Sequence, residues 1–478
     1  MKDADLAIVG AGPAGMAAAA EAASLGLGVT VIDDNARAGG QYFRQPPAGF
    51  RHTGAMFLDK DRARGSVLAA ALRHPAVAHW QDAVVWDMPE PGVLAVAAGE
   101  GSGRVRAKAI LVATGAQDRP VPFPGWTLPG VVSAGGLQNL LKGQRVVPGR
   151  RAVVVGNGPL LLLIGANLVR AGVEVAAVVE AAPIWNRILP ALASLARAPD
   201  MLALAIRYRA VLARAGVPVL AGWTVTGAKG DEAVTGCRVA PIDTQGRLDR
   251  ARERSFDCDL LVAGFGLMPS LELPRLIGAE LAYDRRRGGW TVKRDADFQC
   301  SVPNVHVAGD GAGIGGAEMA LLEGRIAARA VARKLGKQVP ADDDLRRAWA
   351  KRDAFRRGLE AIYAPPASFL DLMTEDTVVC RCEDVTVGDI AKRRSELAGS
   401  VTQVKATTRL SMGRCQGRNC LVTLAAMVAK DTGVDMATIP LPRPRPPLRP
   451  IPIGDLAFED IPPPDIPADP HLPRKQRA

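Results

Sequence analysis

The stretch Leu6-Ala7-Ile8-Val9-Gly10-Ala11-Gly12-Pro13-Ala14-Gly15 decides the fold. Its apolar run predicts a short buried strand, and the GxGxxG turn that follows predicts a strand-to-helix junction. Gly10 permits the tight turn, Gly12 lets a pyrophosphate approach the backbone, and Gly15 lets the helix pack close to the strand. Pro13 suits an early helix position, where its missing N–H has no intrahelical partner to lose. With Ala14 it opens a helix of small residues, whose N-terminal N–H groups and dipole favour phosphate. Val29-Thr30-Val31-Ile32 reads as the next strand. Asp33 and Asp34 end it, where an acid meets a ribose hydroxyl. A dinucleotide is expected in this unit.

Three later segments bear on which dinucleotide. Gly39-Gly40-Gln41 is a small-residue turn beyond the ribose acid. Ile110-Leu111-Val112-Ala113-Thr114-Gly115 is an apolar strand ending in Thr-Gly, and Val305-His306-Val307-Ala308-Gly309-Asp310 is another ending in Gly-Asp. These segments resemble the motifs of the two-dinucleotide-binding-domain flavoproteins, the glutathione-reductase-like superfamily. The resemblance implies FAD in the first fold, with Asp310 on the ribityl chain and a helix opening near Gly315, Gly316 and Ala317 toward the flavin ring. His306, inside its strand, reads as a core or surface imidazole, not a base.

The design returns in the second quarter of the chain. Ala152-Val153-Val154-Val155 is a strand, Gly156-Asn157-Gly158-Pro159-Leu160-Leu161 the turn, and a further strand ends at Glu180. Leu161 stands where the third glycine would be, which is expected to push the helix off the strand and alter the pocket. Gly156, Gly158 and Glu180 are the candidate nucleotide contacts. NAD(P)H, an ATP- or ADP-like ligand, and an empty structural fold all remain open, and the run Leu160-Leu161-Leu162-Leu163-Ile164 looks like a packing surface. Cys237, Cys258 and Cys300 are isolated in sequence and read as buried structural thiols, so thiol–disulfide chemistry is not expected.

The remaining four cysteines fall together. Cys380-Arg381-Cys382 and, further on, Cys415-Gln416-Gly417-Arg418-Asn419-Cys420 offer four thiolates, which suits a 2Fe-2S cluster or a zinc ion. The CxC and CxxxxC spacings depart from the CxxC knuckles of zinc sites, which favours iron–sulfur. The segment resembles the small helical 2Fe-2S domain of bacterioferritin-associated ferredoxin, in the form fused to flavoprotein dehydrogenases. Gly413 and Gly417 are expected to let backbone N–H groups reach the cluster sulfurs.

Bulk properties bound the rest. The length of 478 residues exceeds one core, so several domains are expected. The net charge of +11 could suit nucleic acid or an anionic membrane, but no run of five Lys or Arg occurs, and a solvated Arg-rich surface is the better reading. No nucleic-acid partner is expected. No secretory signal and no apolar run of about 18 residues is visible. A cytoplasmic location is expected, with peripheral contact at the inner face of the cell membrane compatible.

Across nearly the whole chain, the strings Ala113-Thr114-Gly115-Ala116-Gln117-Asp118-Arg119-Pro120-Val121-Pro122 and Gly156-Asn157-Gly158-Pro159-Leu160-Leu161 resemble the large α subunits of opine oxidases, D-hydroxyproline and proline dehydrogenases, and hydrogen cyanide synthase. The resemblance implies an FAD- and 2Fe-2S-containing electron-transfer subunit of a hetero-oligomeric amino-acid or opine dehydrogenase. It implies no catalytic residue for amine oxidation in this chain, since a partner β subunit like D-amino-acid or glycine oxidase performs it. A small ferredoxin-like γ subunit and FMN at the interface with a partner are compatible additions. Asp118 and Arg119 could touch the cofactor, an interface, or each other's loop as a salt bridge. A stand-alone NAD(P)H-dependent flavin oxidoreductase and a non-enzymatic iron–sulfur sensor are the rival readings.

The expected architecture is α/β, with two Rossmann-like dinucleotide-binding domains plus a small helical 2Fe-2S domain. The FAD-binding domain is discontinuous, 1–148 and 255–338, around a second dinucleotide-binding-like domain at 149–254. A helical linker spans 339–375, the cluster domain 376–438, and a Pro-rich extended tail 439–478. The tail should adopt polyproline II, docked on a partner or on its own flavin domain, or disordered after Pro462.

Overall fold

The computed structural model describes residues 1–47, 59–99, 101–393 and 400–457. The strand expected over Leu6–Val9 runs from Lys2 to Val9 and lies at the centre of a sheet, parallel to Val29–Ile32, which in turn carries Val77–Trp80. On its other side runs the long strand Gly101–Val112, which serves two partnerships. Its first half pairs antiparallel with Val93–Ala98, and its second half pairs parallel with Lys2–Val9 and Val305–Val307. The registers Val9↔Ile32, Val9↔Val112 and Val307↔Val112 put these strand ends on one edge. That edge is where an open parallel sheet binds its ligand.

Helix Pro13–Ser24 buries nearly its whole length against helix Ala317–Lys334. Gly15 is obligatory at the junction, because a Cβ there would lie 1.8 Å from the Gly10 carbonyl oxygen. The alanines on the helix matter for the same reason: small side chains let helix and sheet close on each other, and Ala18, Ala19 and Ala22 are wholly buried.

A second parallel sheet runs in the order Val219–Ala221, Glu174–Glu180, Arg151–Gly156, Leu260–Gly264, Val131–Ser133. Leu161 departs here from the expectation set by its sequence. It does not displace helix Leu160–Arg170; it is buried in the core with Val154, Ile164 and Val262. Space for it comes from Gly264 on the neighbouring strand, where a Cβ would lie 2.9 Å from the Leu161 Cδ2. The missing glycine of the turn has in effect been moved to the adjacent strand.

The charged segment after the flavin fold forms helix Asp343–Ile362, whose Phe355 and Ile362 pack on Ala191 and Leu195. The cysteine-bearing region follows as strands Val378–Cys380 and Val385–Thr386 and helices Val387–Lys392, Val401–Thr408 and Leu421–Thr432. Thr386 and Asp389 close a capping box at the first of these helices. The core of this region, Leu410, Leu424 and Val428 among it, abuts Trp290 and Tyr283 of the hairpin Leu281–Asp284 and Gly289–Val292. The chain then returns across the first sheet and its flank: the Leu448 N–H donates to Trp86 at 2.9 Å, and the Arg443 guanidinium to Leu276 at 2.6 Å. Residues 458–478, including the stretch after Pro462, lie outside those described. Among the described residues no helix is long and apolar enough to cross a membrane.

Candidate functional site

The two helices that meet at the sheet edge both begin without a side-chain cap, at Gly12 and at Gly316. Their first-turn N–H groups are therefore donors awaiting acceptors, and both dipoles present positive ends. Around them the structure gathers most of the candidate residues. The Ala11 N–H donates to Asp33, whose other oxygen accepts from the Asn35 N–H at 2.7 Å. Asp33 is buried, and burial pushes its carboxyl above the usual range. Asp34 points outward instead, within 3.8 Å of Arg449 from the returning tail. The Gly39 N–H donates to Ala11 at 2.8 Å, and Gly40 packs on the Gly12 backbone, so this turn braces the Gly10–Gly12–Gly15 loop. Gln41, by contrast, is solvent-exposed.

The Thr-Gly and Gly-Asp turns stand side by side. The Thr114 hydroxyl donates to Ser270 at 3.2 Å, Gly115 accepts from the Ser270 N–H at 3.0 Å, and Gly311 lies against both Thr114 and Gly115. Asp310 accepts from the N–H groups of Gly315 and Gly316 at 2.8 and 2.7 Å, just ahead of Ala317. Burial raises its carboxyl. What secures Gly309 was not visible in the sequence motifs. Its N–H donates to Glu323 at 2.8 Å, and Glu323 in turn holds Arg294 in a buried bidentate pair at 2.7 and 2.8 Å and accepts from the Trp349 indole at 3.0 Å. Only the helical phase of Glu323, on the buried face of Ala317–Lys334, could have pointed to it.

Asp118 and Arg119 do not form a salt-bridged loop. Asp118 accepts from the Ser133 hydroxyl at 2.5 Å and the Gly135 N–H at 3.0 Å, which starts helix Ala134–Asn139. The Arg119 guanidinium is buried beside Tyr283 and Arg285. His306 is a core imidazole, its Nδ1 2.9 Å from the Asp297 carbonyl.

In the second unit Glu180 turns inward. Its oxygens accept from the Gly158 and Ala182 N–H groups, each at 2.8 Å, and burial raises its carboxyl to about 8. A strap from the linker crosses this turn: the Asn157 amide donates to the Tyr363 carbonyl and the Arg187 guanidinium to the Ala364 carbonyl, both at 2.8 Å.

The four late cysteines converge from two loops. A Cβ on Gly413 would lie 2.3 Å from the Cys382 Cβ, and Cys380 and Cys415 both lie near enough to raise the Cys382 and Cys420 thiols, so the two cysteine segments face each other. Burial raises the Cys420 and Cys382 thiols. Among the described residues no three His, Cys, Asp or Glu side chains converge as one metal ion requires. Cys237 and Cys258, isolated in sequence, lie in one apolar core instead, and their proximity and burial raise the Cys237 thiol.

Between the flavin-side turns and the cysteine loop lies a cavity of about 340 Å³, lined by Gln117, Trp290, Arg275, Lys405, Arg418 and Arg443. The Gln117 amide donates to the Arg418 carbonyl at 3.2 Å, and Arg418 pairs with Glu272 at 2.9 Å.

Two Rossmann-like sheets, with two helices opening uncapped at the edge of the first, belong with a family match that defines a FAD-dependent oxidoreductase. The chain belongs to the pyridine nucleotide-disulphide oxidoreductase family, which matches residues 4–336, and residues 374–459 match the sarcosine oxidase A3 domain. It is 34% identical to an opine oxidase subunit of Rhizobium meliloti (strain 1021), over 95% of this chain and 98% of that one. It is 36% identical to hydrogen cyanide synthase subunit HcnB of Pseudomonas aeruginosa, again over 95% and 98%. Among solved structures, L-proline dehydrogenase from P. horikoshii has the same fold, with a TM-score of 0.67 and 22% identity, covering 95% of this chain and 79% of that one.

Proposed function

We propose that this chain is the electron-transferring subunit of a hetero-oligomeric dehydrogenase or oxidase acting on an amino acid, imino acid or opine. Amine oxidation occurs in a partner subunit resembling D-amino-acid or glycine oxidase. Gly10, Gly12, Pro13, Ala14 and Gly15 bind the FAD pyrophosphate with Asp33 beside it, and Asp310 with the Ala317 helix start faces the ribityl chain and ring. Cys380, Cys382, Cys415 and Cys420 hold a 2Fe-2S cluster. The meeting of the Cys380–Cys382 and Cys415–Cys420 segments supports this, because four thiolates complete a two-iron centre and the CxC and CxxxxC spacings depart from zinc knuckles. When bound, FAD accepts an electron pair and releases electrons singly to an iron–sulfur centre.

The chain's own residues provide the scaffold for that relay. Gln117, three residues beyond Thr114 on the flavin side, holds the Arg418 carbonyl between Cys415 and Cys420. This contact carries the proposal, because it joins the rim of one cofactor site to the loop of the other. The basic cavity beside it suits a phosphorylated ring such as FMN, with Trp290 for the ring and Arg275, Arg443 and Lys405 for the phosphate, completed by the partner chain. The Tyr363 strap favours a structural second fold over one that takes up ATP, ADP or NAD.

The test is co-purification from the native host. The expected complex contains flavin and iron, and reduces dye only with an amine and a second, oxidase-like chain. Rapid flavin bleaching of the lone chain by NADH would overturn the assignment.

A further inference from the structure

Each cysteine segment carries one arginine inside it, and the fold treats the two differently. Arg381, between Cys380 and Cys382, is exposed, its guanidinium 5.4 Å from the centre of the Trp126 ring. Arg418, between Cys415 and Cys420, keeps only 11% of its side chain exposed. Gly417, at φ +84°, reverses the loop just before it, and a Cβ there would lie 3.0 Å from the Ser411 Cβ. Beyond that reversal the Arg418 side chain runs to the short helix Glu272–Leu276 instead of into water. Its Nε donates to Glu272 at 2.9 Å, one terminal nitrogen reaches the Leu448 carbonyl at 2.6 Å, and the other the Cys415 carbonyl at 3.5 Å. Glu272 is 19% exposed. Arg275, on the same helix, also lies near Glu272 but donates to the Pro442 carbonyl.

This arrangement matters to any anionic group that the loop encloses. A charge fixed in place and mostly withdrawn from water is screened less than one in solvent, so it acts farther. Four thiolates around two irons form such a group, and it gains one more negative charge with the electron it takes. Its potential follows the charges around it. Arg418 lies within the loop that supplies two of those thiolates, so its cation favours the reduced form. Glu272 opposes it from outside the cysteine region. Neither side chain needs to move or exchange a proton when the electron arrives, because both are already bonded in place. Arg414, beside Cys415, is exposed, and Arg409, 71% exposed and paired with Glu383, also lies in water, which screens both.

Taking the four late cysteines as ligands of a 2Fe-2S cluster, the reading on which this rests, we propose that Arg418 and Glu272 set that cluster's reduction potential. Arg418 raises it and Glu272 limits the rise. A higher potential makes the cluster the better outlet for electrons from a reduced flavin, so the contact between the cysteine loop and helix Glu272–Leu276 governs how readily the relay runs. Both residues act through charge alone: neither ligates iron.

The full chain, with whatever subunits accompany it, is purified anaerobically, and iron content and the visible spectrum show whether the cluster is present. Dithionite titration with redox mediators, followed by electron paramagnetic resonance, then gives its midpoint potential. Arg418→Gln holds the electron about tenfold less tightly, a fall of ~59 mV for a one-electron couple. Glu272→Gln moves the potential up, and the double variant falls between the two. Arg418→Lys, which keeps the charge, stays closer to the wild type than Arg418→Gln. Arg414→Gln shifts it far less than Arg418→Gln. Shifts in the same direction for Arg418→Gln and Glu272→Gln, or none in either, overturn the proposal, as does an equal shift from Arg414→Gln. Where Arg418→Gln loses its iron, Glu272→Gln decides, and a potential that stays or falls overturns the proposal. Iron missing from the wild type overturns the reading of the cysteines, whereas unmoved potentials in an iron-loaded chain overturn this inference alone.

Discussion

The side-chain amide of Gln117 reaches across 3.2 Å to the carbonyl of Arg418, so a residue of the flavin-side strand Ala116–Asp118 is tied to the loop between Cys415 and Cys420. Two further contacts fasten the same region: the Trp126 indole donates to Val378 at 2.7 Å, and Gln416 donates to Pro447 at 2.8 Å. The loop between Cys415 and Cys420 is thus held from two sides, by the strand Ala116–Asp118 and by the returning tail, while Trp126 holds the strand that leads into Cys380.

Replacing Gln117 with Leu leaves the Arg418 carbonyl without its donor. The cost should be about 1 kcal/mol, the usual net value of one such bond. Flavin content should stay at the wild-type level, because Gln117 touches none of the residues of the phosphate cradle. Amide exchange at 411–420 should quicken, and amine-driven dye reduction should fall several-fold while flavin reduction keeps its rate. Unchanged exchange in this loop would show that the contact does not hold it.

The Arg294–Glu323 pair predicts a larger effect. Both side chains are almost wholly buried, at 8 and 3% exposure, and Glu323 also carries the Gly309 N–H and the Trp349 indole. Glu323→Ala leaves a buried guanidinium uncompensated, which costs about 3–5 kcal/mol. Arg294→Met/Glu323→Leu removes both charges and should recover much of that loss. Thermal melting and flavin retention after gel filtration measure the two. A single variant as stable as the wild type would mean that water replaces the lost partner.

The first fold was legible in the sequence because glycine spacing and apolar runs are local signals, and the turns at Gly115 and Asp310 repeat that grammar. Leu161 misled because its compensation, Gly264, lies on a strand more than a hundred positions away. No local pattern reports a glycine traded between neighbouring strands. The proximity of Cys237 to Cys258 escaped for the same reason: it depends on the register of Gly236–Pro241 against Arg254–Asp257, in which Cys237 faces Phe256. The Tyr363 strap acts through backbone carbonyls, which carry no signature in residue type. The four late cysteines announced a site by clustering, but that the Cys382 segment lies against the loop that opens at Gly413 needed the fold.

Glu180 makes stability depend on pH. Burial raises its carboxyl from 4.5 to about 8 in the folded chain. Between those values the folded state binds more protons than the unfolded one, so the stability this group contributes is fully present below about pH 4.5 and is lost as pH rises through about 8. Glu180→Gln cannot titrate and should escape the loss. The melting temperature of the wild type should therefore fall relative to that of Glu180→Gln between pH 5 and pH 8. Parallel melting curves across that range would mean that Glu180 is ionised throughout, sustained by the Gly158 and Ala182 N–H groups.

The cysteine variants separate the two thiol groups by chemistry. Thiolates bind metal and thiols do not, so burial that raises Cys420 works against an empty site, and cluster binding must release those protons. Cys420→Ala and Cys382→Ala should each abolish stoichiometric iron and the visible absorption of the cluster, while leaving FAD bound. Cys237→Ala and Cys258→Ala should keep full iron and lose about 1–3 kcal/mol of stability from the small cavities they open in the core. Iron analysis and the visible spectrum after anaerobic purification read the outcome. Retention of iron by Cys420→Ala, or its loss in Cys237→Ala, would move the metal away from the late loops and dissolve the link between Gln117 and electron relay.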